Sequence, residues 1–454
     1  MITSERRVAY EVLRRTFEQD AWTDRVLPAA SERHHLDSRE RSQAQRLAYG
    51  AVQRRRTEDR LIEEVSERRP NEIDPPLVAA LRLGIYELLF SSGGSKHAAV
   101  DQAVALAKEG LGGASRRARA GAGLVNAVLR RIASEGDVLL ASLDDATPEA
   151  AATRYSYPDW LARMWWVELG PKGARSLMAA MNEPSETALR ANALRVDPSR
   201  LAEELRAAGQ QVERPDAPTP LAPPEALVVR DRLTKVVRDR LAAGDLVAQS
   251  RGSQAVVSLL DPQPGERVLD LCAGPGIKTT AIAARMRNEG EVVAVELHPG
   301  RARQLRELCS RLGATCVRVV EGDAARIDVD GGYDRALVDP PCSDLGALAS
   351  RPDARWRKSP ELIERVGPIQ AATLSRAAGA VHGGGALVYA TCTISWRENE
   401  DRLRNLLRAR PALRVDDLGR DHPELPSERD SRFLQTRPDR HGTDGFFIAR
   451  VRRS

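Results

Sequence analysis

Residues 268–280 read VLDLCAGPGIKTT. A short apolar run closes on acid and thiol side chains, breaks at Gly274 and Gly276, and resumes as a helical pattern. Glycines at a strand-to-helix turn let the backbone fold tightly and approach a ligand. The stretch is not a Walker A loop, because Ile277 rather than glycine precedes Lys278. Nor is it a dinucleotide fingerprint, whose last glycine would fall on Thr279. Two acids follow at the ends of the next strand-like runs: Glu296 in VVAVELHP and Asp323 in EGDA. The first is placed to accept hydrogen bonds from ribose hydroxyls, the second to meet an adenine edge. A nucleoside without a pyrophosphate suits these parts, and S-adenosylmethionine is the expected ligand.

The same alternation continues to the end of the chain. RVLDLC, EVVAVEL, ATCVRVV, RALVDP, GALVYATC and GFFIARV read as strands, with helical patterns between most of them. This predicts a doubly wound parallel sheet over residues 246–454, with its site at the carboxyl ends of the strands. Two of the five cysteines fall at such ends, Cys342 in DPPCS and Cys392 in ATCT. Both thiols therefore face one crevice. Two thiols and a carboxylate beside a methyl donor point to an acceptor carbon that is not itself nucleophilic, such as C5 of cytosine. That carbon becomes nucleophilic only after a thiolate adds at C6.

The rest of the chain is organised differently. Residues 1–140 read as an all-helical bundle. In PPLVAALRLGIYELLF the apolar residues form one stripe, with Asp74 placed to cap the helix and Pro75 in its first turn. Gly112, Gly113, Gly121 and Gly123 bracket an expected loop carrying Arg116, Arg117 and Arg119. Residues 150–245 read as a small α+β module. Trp160, Trp165 and Trp166 in its first helix suit core packing better than base stacking.

At 454 residues the chain exceeds one ordinary core. No apolar run reaches the length of a membrane span, and the start lacks a secretory h-region. Irregularly spaced cysteines suit reduced thiols in the cytoplasm. Cys309 and Cys316 have no nearby histidine, so no metal is expected. Against 64 acidic residues stand 69 Lys and Arg, a net +5. The arginine clusters 54–56, 116–119 and 130–131 fit a polyanionic partner or a solvated helix face equally well.

DLCAGPGIKT, DPPCSDLG followed by RPDARWR, YATCTISWRENE and DGFFIAR resemble the motifs of RNA cytosine-C5 methyltransferases of the Nol/Nop/Sun superfamily. KHAAVDQAVALAK and GLVNAVLRR resemble the NusB-like N-terminal domain of its RsmB (Sun, Fmu) branch, which modifies small-subunit ribosomal RNA. WLARMWW and LRANALRV are similar to that branch's linker module. The resemblance implies a class I, Rossmann-like methyltransferase domain, S-adenosylmethionine as cofactor, ribosomal RNA as partner and a monomeric enzyme. Residue by residue, it implies Cys392 as the nucleophile and Cys342 as the thiol that assists release of the adduct. It implies Asp339 as the acid near both the methionine amino group and the cytosine ring. Cys272, Ala273, Gly274, Pro275, Gly276, Ile277 and Lys278 match the cofactor loop, and Asp323 the adenine-side acid.

Departures from the family pattern are Ile277 for glycine, Glu296 for aspartate, Ser250 and Arg251 for acids, Asp344 for a common glycine and Ala349 for a common arginine. A ribosome-assembly factor with a decayed methyltransferase domain would not selectively retain both cysteines, Asp339 and Lys278. A DNA cytosine methyltransferase shares the Pro-Cys motif but leaves TCT and the helical N-terminus unexplained.

Overall fold

The computed structural model describes residues 2–91, 94–215, 219–328 and 330–454. They form two compact units. One comprises Met1–Glu183 together with Leu348–Lys358, the other Pro184–Ala347 and Ser359–Ser454.

The first unit is helical, and its centre is the helix Pro75–Leu89. The predicted single stripe is too narrow: Ala79, Ala80, Leu83 and Gly84 are buried along with Leu81 and Ile85. A helix apolar on every side is buried on every side. Asp74 stands at its N-cap, but the carboxylate makes no cap and instead accepts from Arg117. The reason is local, since Pro75 and Pro76 supply no N–H to a capping side chain.

The expected loop around Arg116 is also corrected. Gly112 and Gly113, at φ +83° and +82°, make the turn. Ser115 then caps a helix, Arg116–Ala141, that contains the three arginines, Gly121 and Gly123. Gly121 serves packing, because a Cβ there would lie 2.8 Å from Leu111 and 2.9 Å from Leu77.

Arginines 54–56 are structural. Arg54 lies over Phe90 and Arg55 over Phe17 and Trp356. Arg56 donates to Thr153 and to the Tyr157 carbonyl. Trp165 is fully buried against Tyr157.

Residues 348–358 come from the middle of the C-terminal sequence yet belong to this helical unit. Arg355, fully buried, donates to the carbonyls of Ser156 and Met181 and to Asn182 Oδ1, and lies 4.0 Å over the Tyr157 ring. Trp356 Nε1 donates to the Val52 carbonyl, and Arg357 holds Asp20 and Ala21.

The second unit has two sheets. The small antiparallel one runs β2-β3-β1-β4, from β1 (Thr187–Ala191), β2 (Val212–Glu213), β3 (Ala226–Val229) and β4 (Leu246–Ala248). Arg190, inside it, donates to Gln249 and to Thr280 of the helix Ile277–Arg285. The small sheet thereby braces the helix that follows the glycine loop.

The large sheet contains β5 (Arg267–Asp270), β6 (Glu291–Glu296), β7 (Val317–Glu321), β8 (Tyr333–Val338), β9 (Val381–Thr391), β10 (Leu413–Val415), β11 (Leu434–Gln435) and β12 (Phe447–Arg453). Its order is β10-β12-β9-β8-β5-β6-β7, with β11 beside β12. Strands β5 to β9 are parallel, as predicted. The last strand is not: β12 pairs antiparallel with β9, Phe447 opposite Thr391. Between β10 and β12 the only helices among the described residues are the short Leu418–Asp421 and Pro438–His441, and β12 returns antiparallel between β10 and β9. Its first residues therefore lie where the parallel strands end.

Candidate active site

Strand β5 is buried, and the chain turns immediately after it. Gly274 donates its N–H to Glu296 Oε2 at 3.1 Å, and a Cβ at Gly274 would lie 2.1 Å from that oxygen. Only a bare backbone fits this cradle. Gly276, at φ +105°, caps the helix Ile277–Arg285, and a Cβ there would lie 2.3 Å from Leu305. Ala273 is held by its N–H to the Val295 carbonyl. Pro275 is exposed, while Ile277 is half-buried at the first helical position.

The longer reach of Glu296 lets its carboxylate fold back under the loop. It accepts from Gly274, from the His298 N–H and from Arg301, and is almost wholly buried. Asp323 lies beyond the end of β7, half-buried, and accepts from the Ala325 N–H. Ser250 and Arg251 have structural partners: Ser250 caps a helix, and Arg251 pairs with Glu186.

Beneath the loop lies Asp270. It accepts from Thr279 through Oδ2, while the buried Oδ1 meets no hydrogen-bond donor among the described residues. Burial pushes its carboxyl up to about 6. Burial, with the Asp270, Asp339 and Glu296 carboxylates, also pushes the Cys272 thiol far above its usual range. Lys278 Nζ meets Asp339 Oδ2 at 2.5 Å and lies 5.1 Å over the ring of Phe446, the residue before β12. Burial works against the Lys278 charge, but Asp339 outweighs it and raises the ammonium pKa.

These residues fit the methyl donor predicted for them. Glu296 and Asp323 follow successive strands, Glu296 fixes the turn through the Gly274 N–H, and the Lys278–Asp339 pair can meet an amino acid group.

The ends of β8 and β9 bring the two cysteines together. Cys342 Sγ and Cys392 Sγ are 3.4 Å apart. Asp344, at φ +54°, places Oδ1 3.1 Å from Cys392 Sγ and 3.4 Å from Cys342 Sγ. The hydrogen bond to Cys392 and burial push the Cys342 thiol well up. For Cys392, the Cys342 hydrogen bond pulls down, but burial and the Asp344 and Asp339 carboxylates prevail and raise it. The donor atoms of Cys342, Asp344 and Cys392 lie within 4.8 Å of one another, one donor short of a closed structural zinc site.

Several supporting residues carry no mark in the sequence. Glu398, fully buried, accepts from the Ser343 N–H at 2.9 Å, from the Ser343 hydroxyl and from Gln370 at 3.0 Å. Ser343 also meets the Thr393 hydroxyl. One carboxylate thus ties the residue after Cys342 to the turn after Cys392. Gly346 donates to the Cys392 carbonyl and accepts from Gly445, so the segment leading into β12 closes the same turn. A Cβ on Gly346 would lie 1.9 Å from the Gly445 oxygen. A single sequence offers only one hint to these roles, the acidic residue at position 344 where glycine would be easiest.

Comparison with known proteins follows this architecture. The family described as 16S rRNA methyltransferase RsmB/F matches residues 257–452, the NusB family residues 3–134, and the RsmF/B-like ferredoxin-like domain residues 157–229. The probable ribosomal RNA small subunit methyltransferase B of Synechocystis is 33% identical, over 99% of this chain and all of the relative. That of Bacillus subtilis is 30% identical, over 99% of each chain. The crystal structure titled PH0851 aligns with a TM-score of 0.80 at 25% identity, over 100% of this chain and 99% of the other. The chain belongs to the RsmB family of S-adenosylmethionine-dependent methyltransferases, with a NusB-type helical N-terminus and an α/β methyltransferase fold at its C-terminus.

Proposed function

We propose that this chain methylates C5 of a cytosine in small-subunit (16S) ribosomal RNA, with Cys392 as the attacking thiol. The observation that carries the reading is the pair of sulfurs 3.4 Å apart at adjacent strand ends. The Lys278–Asp339 pair, reached from the same strand ends, supports it. Relatives named ribosomal RNA small subunit methyltransferase B support the RNA substrate and a cytoplasmic place of work. Nucleotide 967, which only the resemblance to the family implies as the target, is the first site to test.

Bound over residues 272–278, S-adenosylmethionine supplies an electrophilic methyl group on a sulfonium centre. Glu296 and Asp323 hold the nucleoside end, and Lys278 and Asp339 the amino acid end. Cys392 adds to C6; the C5=C6 electron pair shifts toward C4 and N3, N3 takes a proton from the Lys278–Asp339 pair, and the pair takes it back as the ring double bond re-forms. C5 then becomes nucleophilic. After transfer, the proton on C5 is lost to water, the ring double bond re-forms and the S–C6 bond breaks. Cys342, hydrogen-bonded to Cys392, stabilises the departing sulfur. The target base must leave its stack to reach the thiol, so unpaired cytosines are preferred. Residues 1–140 and 150–245 position the RNA, the former through exposed Arg116, Arg117 and Arg119.

Denaturing gels with labelled ribosomal RNA test the assignment. Cys392→Ala abolishes both methylation and the covalent protein–RNA adduct, whereas Cys342→Ala accumulates the adduct. Adducts with Cys392→Ala and none with Cys342→Ala would transfer the nucleophile to the Pro-Cys motif.

A further inference from the structure

The nucleophile proposed above lacks the surroundings that ordinarily activate a cysteine. Low thiol pKa values arise beside Lys, Arg, protonated His or a helix N-terminus. Among the described residues, neither sulfur has a cationic hydrogen-bond partner; each meets only the other and Asp344. The nearby cation, Lys278, is committed to Asp339. Beyond the sulfurs themselves, the charges that weigh most on the two thiols are carboxylates, Asp344 and Glu398 on Cys342 and Asp344 and Asp339 on Cys392, and each raises the thiol it faces. Cys392 therefore meets its substrate protonated, and attack requires a base.

Asp344 has the geometry of that base. Its backbone is left-handed, a conformation glycine adopts most easily and aspartate tolerates at modest cost. In return, one oxygen sits within hydrogen-bond reach of both sulfurs. We propose that Asp344 is the proton acceptor for Cys392, an inference that rests on Cys392 being the nucleophile. As the sulfur electron pair forms the S–C6 bond, the thiol proton passes to the Asp344 carboxylate. When the S–C6 bond breaks, the departing sulfur takes that proton back. The proton lost from C5 leaves to water, so each turnover releases one proton. Bonding to the same oxygen keeps Cys342 beside the reaction without making it the first proton acceptor.

The test uses the full chain, a small-subunit ribosomal RNA transcript and a tritiated methyl donor under single turnover. Asp344→Asn and Asp344→Gly both tolerate the left-handed backbone, so both should fold. Methylation near neutral pH should fall about 100-fold, the usual worth of a positioned base. It should then recover about tenfold per pH unit, as hydroxide replaces the missing base. Wild type should show no such slope. A second readout is iodoacetamide alkylation of Cys392, followed by mass spectrometry across pH. Removal of the Asp344 charge should move its midpoint to lower pH, so the thiol ionises more easily while the enzyme works more slowly. A purely structural role does not produce these opposite movements. Wild-type rates and pH slope in Asp344→Asn, with Cys392→Ala inactive, would overturn the proposal alone. Retained methylation in Cys392→Ala would overturn the reading beneath it, and the proposal with it.

Discussion

Substituting Glu398 by alanine removes the acceptor that holds the two cysteine turns in register. The Ser343 N–H and the Gln370 amide lose their carboxylate partner, and both residues are almost wholly buried. Each buried N–H left without a partner costs about 1–3 kcal/mol, so the Ser343 N–H and the one Gln370 N–H not held by the Pro341 carbonyl account for about 4 kcal/mol. For a body of this size about 1 kcal/mol moves the melting point by roughly 2–4 °C, so the unit should melt about 10 °C earlier. Scanning calorimetry reads that shift. A second assay is oxidation by copper–phenanthroline, which should join Cys342 to Cys392 readily in wild type because their sulfurs are 3.4 Å apart. In Glu398→Ala both the rate of joining and methylation should fall. Glu398→Gln should be intermediate, since it keeps the shape but turns one acceptor into a donor. A Glu398→Ala protein that melts within about 1 °C of wild type and pairs its cysteines as fast would refute the clamp.

Two further predictions concern stability. Asp270, with its carboxyl raised to about 6 in the fold, titrates near 3.9 when unfolded, so its ionisation costs about 3 kcal/mol. Because the folded value is the higher one, this cost is full above about pH 6 and fades as pH falls toward 4. Asp270→Asn should therefore be more stable than wild type near neutrality and equal to it near pH 4; urea titrations at several pH values check the convergence. Arg355→Met strands the Ser156 and Met181 carbonyls and Asn182 Oδ1, and should destabilise the helical unit by about 3–5 kcal/mol in urea. An unchanged midpoint would show that these acceptors find other partners.

What was legible in the sequence follows the range of each signal. The parallel strands and the turn at Gly274 and Gly276 are written in contiguous residues, because period and glycine placement are local. The arginine clusters were ambiguous for the opposite reason. The partners of Arg54 and Arg55 include Phe90, Phe17 and Trp356, none of them a sequence neighbour. Gly121 reads as a loop residue in the sequence because a glycine permitting close helix packing looks the same as one permitting a turn. The antiparallel sense of β12 cannot be read from GFFIARV, whose pattern is indifferent to direction. Asp344 was visible only as a departure; its meaning depends on two sulfurs from different strands.

The segment Leu348–Lys358 also has a consequence for the order in which the protein is made. The helical unit is synthesised first, but Ser156, Met181 and Asn182 wait for Arg355, and Val52 waits for Trp356. Residues 184–347 must be translated in between. At about 5–20 residues per second, that leaves the helices incomplete on the ribosome for on the order of 10–30 s. During that interval the buried face that later receives Arg355 and Trp356 is open to chaperones and proteases. It closes only after Cys342 has emerged, so the helical unit is completed by the same stretch of translation that delivers the first of the two paired thiols.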